Sequence, residues 1–139
     1  MPDDIQNIGN VELVSLTDGQ GSGRPTDVFP SSEAETWRRE YPDLLDEHGL
    51  IHPRYGSVAV RSSGKLIIVD TGVGPPAGTL ISDMQQKGVD REAVDLVIMT
   101  HLHPDHVGWN LIDGRPTFPS ARYLVPQLDY EYWTSPAMI

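Results

Sequence analysis

The chain has no cysteine among its 139 residues, so disulfides are excluded. Basic residues are scarce, ten Lys plus Arg against twenty Asp plus Glu, for a net charge of −10. About half of the acids precede residue 51. No basic stripe exists that could displace the counterions of a phosphate backbone, so no nucleic-acid partner is expected. Solubility is a sufficient reason for the acidity. Also missing is any apolar run long enough to cross a bilayer, so no membrane partner is expected either. The start, Met1-Pro2-Asp3-Asp4-Ile5, is acidic and has no apolar core of an export signal, which leads to an expectation of a cytoplasmic protein. There is no internal repeat and no low-complexity segment. Against these absences stand 38% hydrophobic and 22% charged residues, enough for one core.

The pattern along the chain is mixed. Residues 11–16 have strand character, followed by a loop over 17–23. A helix is expected from Ser31, with Ser32 and Glu35 at capping-box spacing and Trp37, Tyr41, Leu44 and Leu45 on one face. Pro42 should kink it or open a second piece. Residues 57–61 and 65–70 read as a hairpin joined through Ser62-Ser63-Gly64. A helix over 79–87 would bury Leu80, Ile81 and Met84 and end at Gly88. After it come a buried strand over 95–100, a strand over 121–125 and a short aromatic helix over 126–133. Tyr130, Tyr132 and Trp133 are expected to pack on the sheet. Residues 1–30 read as a strand and loop extension without chemistry of their own.

Directly after the buried strand stands His101-Leu102-His103-Pro104-Asp105-His106, four metal-binding side chains in six residues. An extended backbone through His101 and His103 points both imidazoles to one side. Pro104 then turns the chain, so that Asp105 and His106 can face a second point. A His-rich surface loop is the plainer alternative, but it does not explain this density at the carboxyl end of a buried strand, where α/β sheets place their sites. Imidazole with carboxylate suits a divalent transition ion, Zn2+ first, with Fe and Mn as competitors.

A rival motif is the turn Thr71-Gly72-Val73-Gly74-Pro75-Pro76-Ala77-Gly78 between a strand and a helix, which superficially resembles a dinucleotide-binding loop. Two prolines remove N–H donors that a pyrophosphate needs, and Asp70 adds negative charge. A sharp backbone turn beside the metal loop is the better reading of these glycines. His48 and His52 lie near a helix end and are read as structural or exposed.

Thr100-His101-Leu102-His103-Pro104-Asp105-His106-Val107-Gly108 resembles the His-x-His-x-Asp-His signature of the metallo-β-lactamase-fold hydrolases. Upstream, Lys65-Leu66-Ile67-Ile68-Val69-Asp70-Thr71-Gly72 is similar to that family's apolar strand ending in Asp-Thr-Gly. The resemblance covers the chain from about Tyr55 onward. It implies an α/β (α+β) architecture, the N-terminal half of an αββα sandwich with a mixed sheet and flanking helices, as one partial domain over residues 1–139. It further implies that His101 and His103 hold a first metal and Asp105 and His106 a second, with Asp70 orienting the ligand loop through hydrogen bonds. The family's downstream ligands, two further histidines and a bridging Asp, have no counterpart after His106. Asp113, Asp129 and Glu131 are the remaining carboxylates there, none in a family context.

The activity so implied is zinc-dependent hydrolysis. A hydroxide formed at the metal pair attacks an ester, lactone or phosphoester of a small molecule, and Asp105 helps pass a proton to the leaving group. The long N-terminal region, the segment 107–110 and the Tyr-Trp helix resemble the lactonase and organophosphate-hydrolase branch. Secreted antibiotic-degrading members would carry an export signal, which disfavours that branch. Two alternatives stand beside hydrolysis. One is an iron-dependent redox member of the same fold. The other is a catalytically incomplete fragment or module completed by another chain, for which association into a homo-oligomer would be the mark.

Overall fold

The computed structural model describes residues 4–139; Met1 to Asp3, within the acidic start, lie outside the described residues. In chain order the strands are β1 (Ile5–Ile8), β2 (Val11–Gln20), β3 (Arg54–Ser62), β4 (Lys65–Val69), β5 (Leu96–Ile98), β6 (Leu111–Ile112), β7 (Arg115–Pro116) and β8 (Arg122–Leu124). The helices are α1 (Pro25–Val28), α2 (Ala34–Glu40), α3 (Leu80–Gln86), α4 (Pro104–Val107) and α5 (Gln127–Trp133). These elements form two compact units. One contains the residues up to Gly19 together with Tyr55–Ile139, and the other is Gln20–Arg54.

The first unit is built on a six-stranded mixed sheet in the order β1-β2-β3-β4-β5-β8, with β6 and β7 as a separate small hairpin. Strands β3 and β4 pair antiparallel, while β4 with β5 and β5 with β8 pair parallel. The β3–β4 turn uses Ser63 and Gly64, both at positive φ (50° and 74°), which matches the twist of a two-residue hairpin. Lys65 and the Leu66 N–H both bond the Asp95 carboxylate (2.7 and 2.9 Å), which sets the start of β4 beside the start of β5. Val14, Leu16, Ala59, Ile68, Leu80, Met84, Val89, Val94, Val97, Met99 and Phe118 make up the core. Helix α3 contributes Leu80 and Met84 to it, with Ile81 half-buried, and Gly88 (φ 67°) follows its end.

Three local expectations are corrected. Strand β2 runs on to Gln20 through the segment read as loop, because Val14, Leu16 and Asp18 continue one inward-facing alternation, all 0% exposed. Helix α2 starts at Ala34 without a capping box: Ser32 instead donates to the Phe29 carbonyl (2.7 Å) and accepts from the Trp37 indole (2.8 Å). Helix α5 buries no residue, and Tyr130 and Tyr132 stand 55% and 59% exposed.

In the second unit, Pro42 opens a 3-10 turn, Pro42–Leu44, after α2. Asp46 then organises the return of the chain. Its carboxylate accepts from the N–H groups of Leu50 (2.8 Å) and His48 (2.9 Å) and pairs with His52 Nε2 (2.8 Å). His52 thus has a local structural partner.

Candidate metal centre

Two loops meet at the carboxyl ends of β4 and β5. The loop after β4 begins at Asp70, at φ 60° and 6% exposed. The loop after β5 carries the histidine cluster and then α4, opened by Pro104 in its first turn, where a missing N–H costs nothing. The loops are laced together by backbone: Thr71 N–H to His106 O (2.7 Å), Gly108 N–H to Gly72 O (2.7 Å) and Trp109 N–H to Thr71 O (3.1 Å). Such close approach requires glycine. A Cβ on Gly74 would overlap the backbone of Gly108, and one on Gly108 would overlap that of Val73.

Asp70 stands at the centre of this junction. Its Oδ1 accepts from Thr100 N–H (2.7 Å). Its Oδ2 accepts from the Thr100 hydroxyl (2.6 Å) and lies 2.8 Å from His106 Nδ1. The Thr100 oxygen is also 3.0 Å from His101 Nδ1. Hydrogen-bonding capacity assigns the protons. Thr100 has one hydroxyl proton and gives it to the carboxylate, so His101 must carry its own proton on Nδ1 to make the contact. His106 likewise carries a proton on Nδ1, facing Asp70. In the neutral form of either ring this tautomer keeps a lone pair on Nε2, the state a metal-binding imidazole needs.

The rings are gathered but not closed around a point. His101 is 3.9 Å from His106 and 4.7 Å from His103, centroid to centroid, and His103 meets the edge of Trp133 at 6.2 Å. Asp105 Oδ2 lies 3.6 Å from His106 Nε2. Among the described residues, no three His, Asp or Glu side chains converge on one position that could hold an ion. The donor set is still right for a divalent transition ion: three imidazoles, two of them with a fixed proton, and an exposed carboxylate beside them. A cleft of about 380 Å³ lined by Ile81, Met84, Gln85, Gly88, Val89, Asp90 and Arg91 includes none of these side chains.

Two carboxylates at the site have roles that the sequence does not assign, Asp129 standing there only as a carboxylate without a family context. Asp129, on α5, accepts from Leu102 N–H (2.8 Å) and so holds the backbone between His101 and His103. Asp18, on β2, accepts from Val73 N–H (2.6 Å), Gly74 N–H (3.1 Å), Leu80 N–H (2.6 Å) and Trp109 Nε1–H (2.8 Å). The glycine turn therefore spends its amides on a carboxylate of its own chain, which disposes of the dinucleotide reading. The available signal for Asp18 was its place two residues beyond Leu16 in an alternating strand. For Asp129 there was none, since its partner lies 27 residues away.

Comparison with known proteins bears on the fold. Residues 57–112 match the sequence model of the metallo-beta-lactamase superfamily. Among solved structures, the chain is similar to AidC, described as a dizinc quorum-quenching lactonase, with TM-score 0.85 and 23% identity over 94% of this chain and 47% of that one. It is also similar to AbOPH, a hydrolase in the beta-lactamase superfamily, with TM-score 0.79 and 27% identity over 96% and 47%. The chain carries the metallo-β-lactamase fold. A probable metal-dependent hydrolase from Staphylococcus aureus has the same fold, with TM-score 0.77 and 20% identity over 94% of this chain and 52% of that one. The metallo-β-lactamase-fold chain thus spans about half the length of the structures it matches, as their N-terminal half. No curated protein sequence matches it.

Proposed function

We propose that this chain carries the metal-binding loop of a metal-dependent hydrolase acting on an ester, lactone or phosphoester of a small molecule. His101, His103, Asp105 and His106 are the ligands in this reading, and zinc, up to two ions in the complete site, is the metal. The observation that carries it is the Asp70–Thr100 pair, which leaves Nε2 free on both His101 and His106. Support for the substrate class comes from the named activities of AidC, a lactonase, and AbOPH, a hydrolase.

A divalent ion here would supply a water ionised near pH 7 and an electrophile for the substrate oxygen. The chain's own residues do the rest. Asp70 holds His106 directly and His101 through Thr100, so neither ring can turn its Nδ1 toward the ion. Asp129 keeps the backbone at Leu102 in place, which sets the spacing of His101 and His103. Asp105, exposed beside His106, moves the proton to the leaving group. Trp133, against His103, borders the approach. Because no three ligands converge, this chain by itself holds metal loosely and turns over little or no substrate.

The test is metal uptake followed by assay. Zinc content per chain is measured after dialysis, by titration against a chromophoric chelator, for the wild type and for His101→Ala and His106→Ala. Lactones and phosphotriesters are then assayed. Reversible zinc uptake that both variants lose, with weak or absent turnover, is the expected result. Equal uptake by all three proteins would overturn the ligand assignment. Tightly held zinc with rapid turnover would overturn the incompleteness. Bound iron with oxygen consumption would replace hydrolysis with redox chemistry.

A further inference from the structure

Asp18 occupies the third inward position of β2 after Val14 and Leu16 and is fully buried. The four N–H groups it accepts come from three separate segments: Val73 and Gly74 in the loop after β4, Leu80 at the start of α3, and Trp109 in the loop after α4. The protein makes room for it, since a Cβ on either Gly72 or Gly78 would overlap the Asp18 carboxylate. We propose that Asp18 is a positioning residue of the metal centre, holding the turn after Asp70 in register with the segment after His106 so that the Asp70 carboxylate and the His106 imidazole stay aligned. The assignment rests on the reading of His101, His103, Asp105 and His106 as metal ligands.

Val73 is three residues beyond Asp70, and Trp109 is three residues beyond His106. The near parts of these two segments are joined by their own backbone hydrogen bonds. Beyond these, one carboxylate joins Val73 to Trp109, Oδ2 accepting from Val73 N–H and Oδ1 from the Trp109 indole N–H, in addition to the backbone bond from Trp109 N–H to Thr71 O. The side chain required is specific. Two carboxylate oxygens can accept all four protons, whereas an asparagine offers one oxygen and turns its NH2 against two N–H donors. Asp18→Asn therefore keeps the volume and breaks half of the clamp.

The experiment is NMR of the metal-free chain, reading the imidazole tautomers of His101 and His106 from long-range proton–nitrogen correlations, for the wild type and Asp18→Asn. A single Nδ1–H tautomer at both histidines is expected in the wild type. In Asp18→Asn, His106 should become a mixture of tautomers while the core resonances of Ile68 and Val97 persist, and zinc affinity should fall about tenfold or more. A variant that melts earlier but keeps the wild-type His106 tautomer would show Asp18 to be merely structural and would overturn the proposal. A wild type that is already mixed would overturn it too. Should Asp18→Asn not fold, Trp109→Phe, which deletes a single donor, decides by the same readout: an unchanged His106 tautomer counts against the clamp. If the wild type takes up no zinc, the metal reading fails, while the tautomer comparison still judges the role of Asp18.

Discussion

Asp70 makes three hydrogen bonds with one carboxylate, to Thr100 N–H, Thr100 Oγ1 and His106 Nδ1, and its position at φ 60° aims them at the loop that follows β5. Asp70→Ala should release both imidazoles and lower zinc affinity by about 10–100-fold, measured by chelator competition. An unchanged affinity would mean that Asp70 only shapes the backbone. The glycines beside it are demanding for different reasons. Gly108 is in the right-handed helical region (φ −60°), so its need is space, not conformation. Gly108→Ala should destabilise the fold by about 1–3 kcal/mol, because its Cβ meets backbone atoms of Val73 that cannot swing away. Urea denaturation would measure this.

At the scale of elements, β2 and the Asp46 loop show how polar side chains complete backbone structure. β2 continues past the last apolar residue because Asp18 keeps the inward register and finds donors there. The Asp46 loop answers to pH. Hydrogen bonds from Leu50 N–H first, then His52 and His48, hold the Asp46 carboxyl down at about 2, against an ordinary 3.8. A carboxyl whose folded value is depressed stabilises the fold above its unfolded value and loses that contribution as pH falls through the folded one. Residues 46–52 should therefore keep their native NMR shifts at neutral pH and lose them between about pH 4 and pH 2. Asp46→Asn should show much weaker pH dependence in that window. Persistence of the wild-type shifts below pH 2 would count against this loop anchor.

On the scale of the whole molecule, the net charge of −10 sets the response to salt. Self-repulsion of the excess carboxylates opposes compaction and is screened as ionic strength rises. The melting temperature should climb between low salt and about 0.5 M NaCl, where the Debye length has shrunk well below its value of about 10 Å at 0.1 M. A falling melting temperature would mean that attractive pairs such as Lys65–Asp95 and Lys87–Asp83 outweigh the repulsion.

What the sequence determined by itself was local and periodic. It included the hairpin over 57–70 joined through Ser62-Ser63-Gly64, the α3 face of Leu80, Ile81 and Met84, the break at Pro42, the turn at Pro104 and the density of imidazoles after β5, but not the short helix α4 that Pro104 opens. Spacing along the chain suffices for these because the interacting groups are near neighbours. Tertiary structure decided what crosses the chain: the Asp70 bond to His106, the Asp129 bond to Leu102 and the four donors around Asp18, with separations of 27 to 91 residues. A turn-like Thr-Asp-Gly and a surface-like Asp on an aromatic helix carry no mark of such partners. Hydrogen bonds over that range exist only after the sheet has ordered its strands, and so the burial and the role of those carboxylates are properties of the fold.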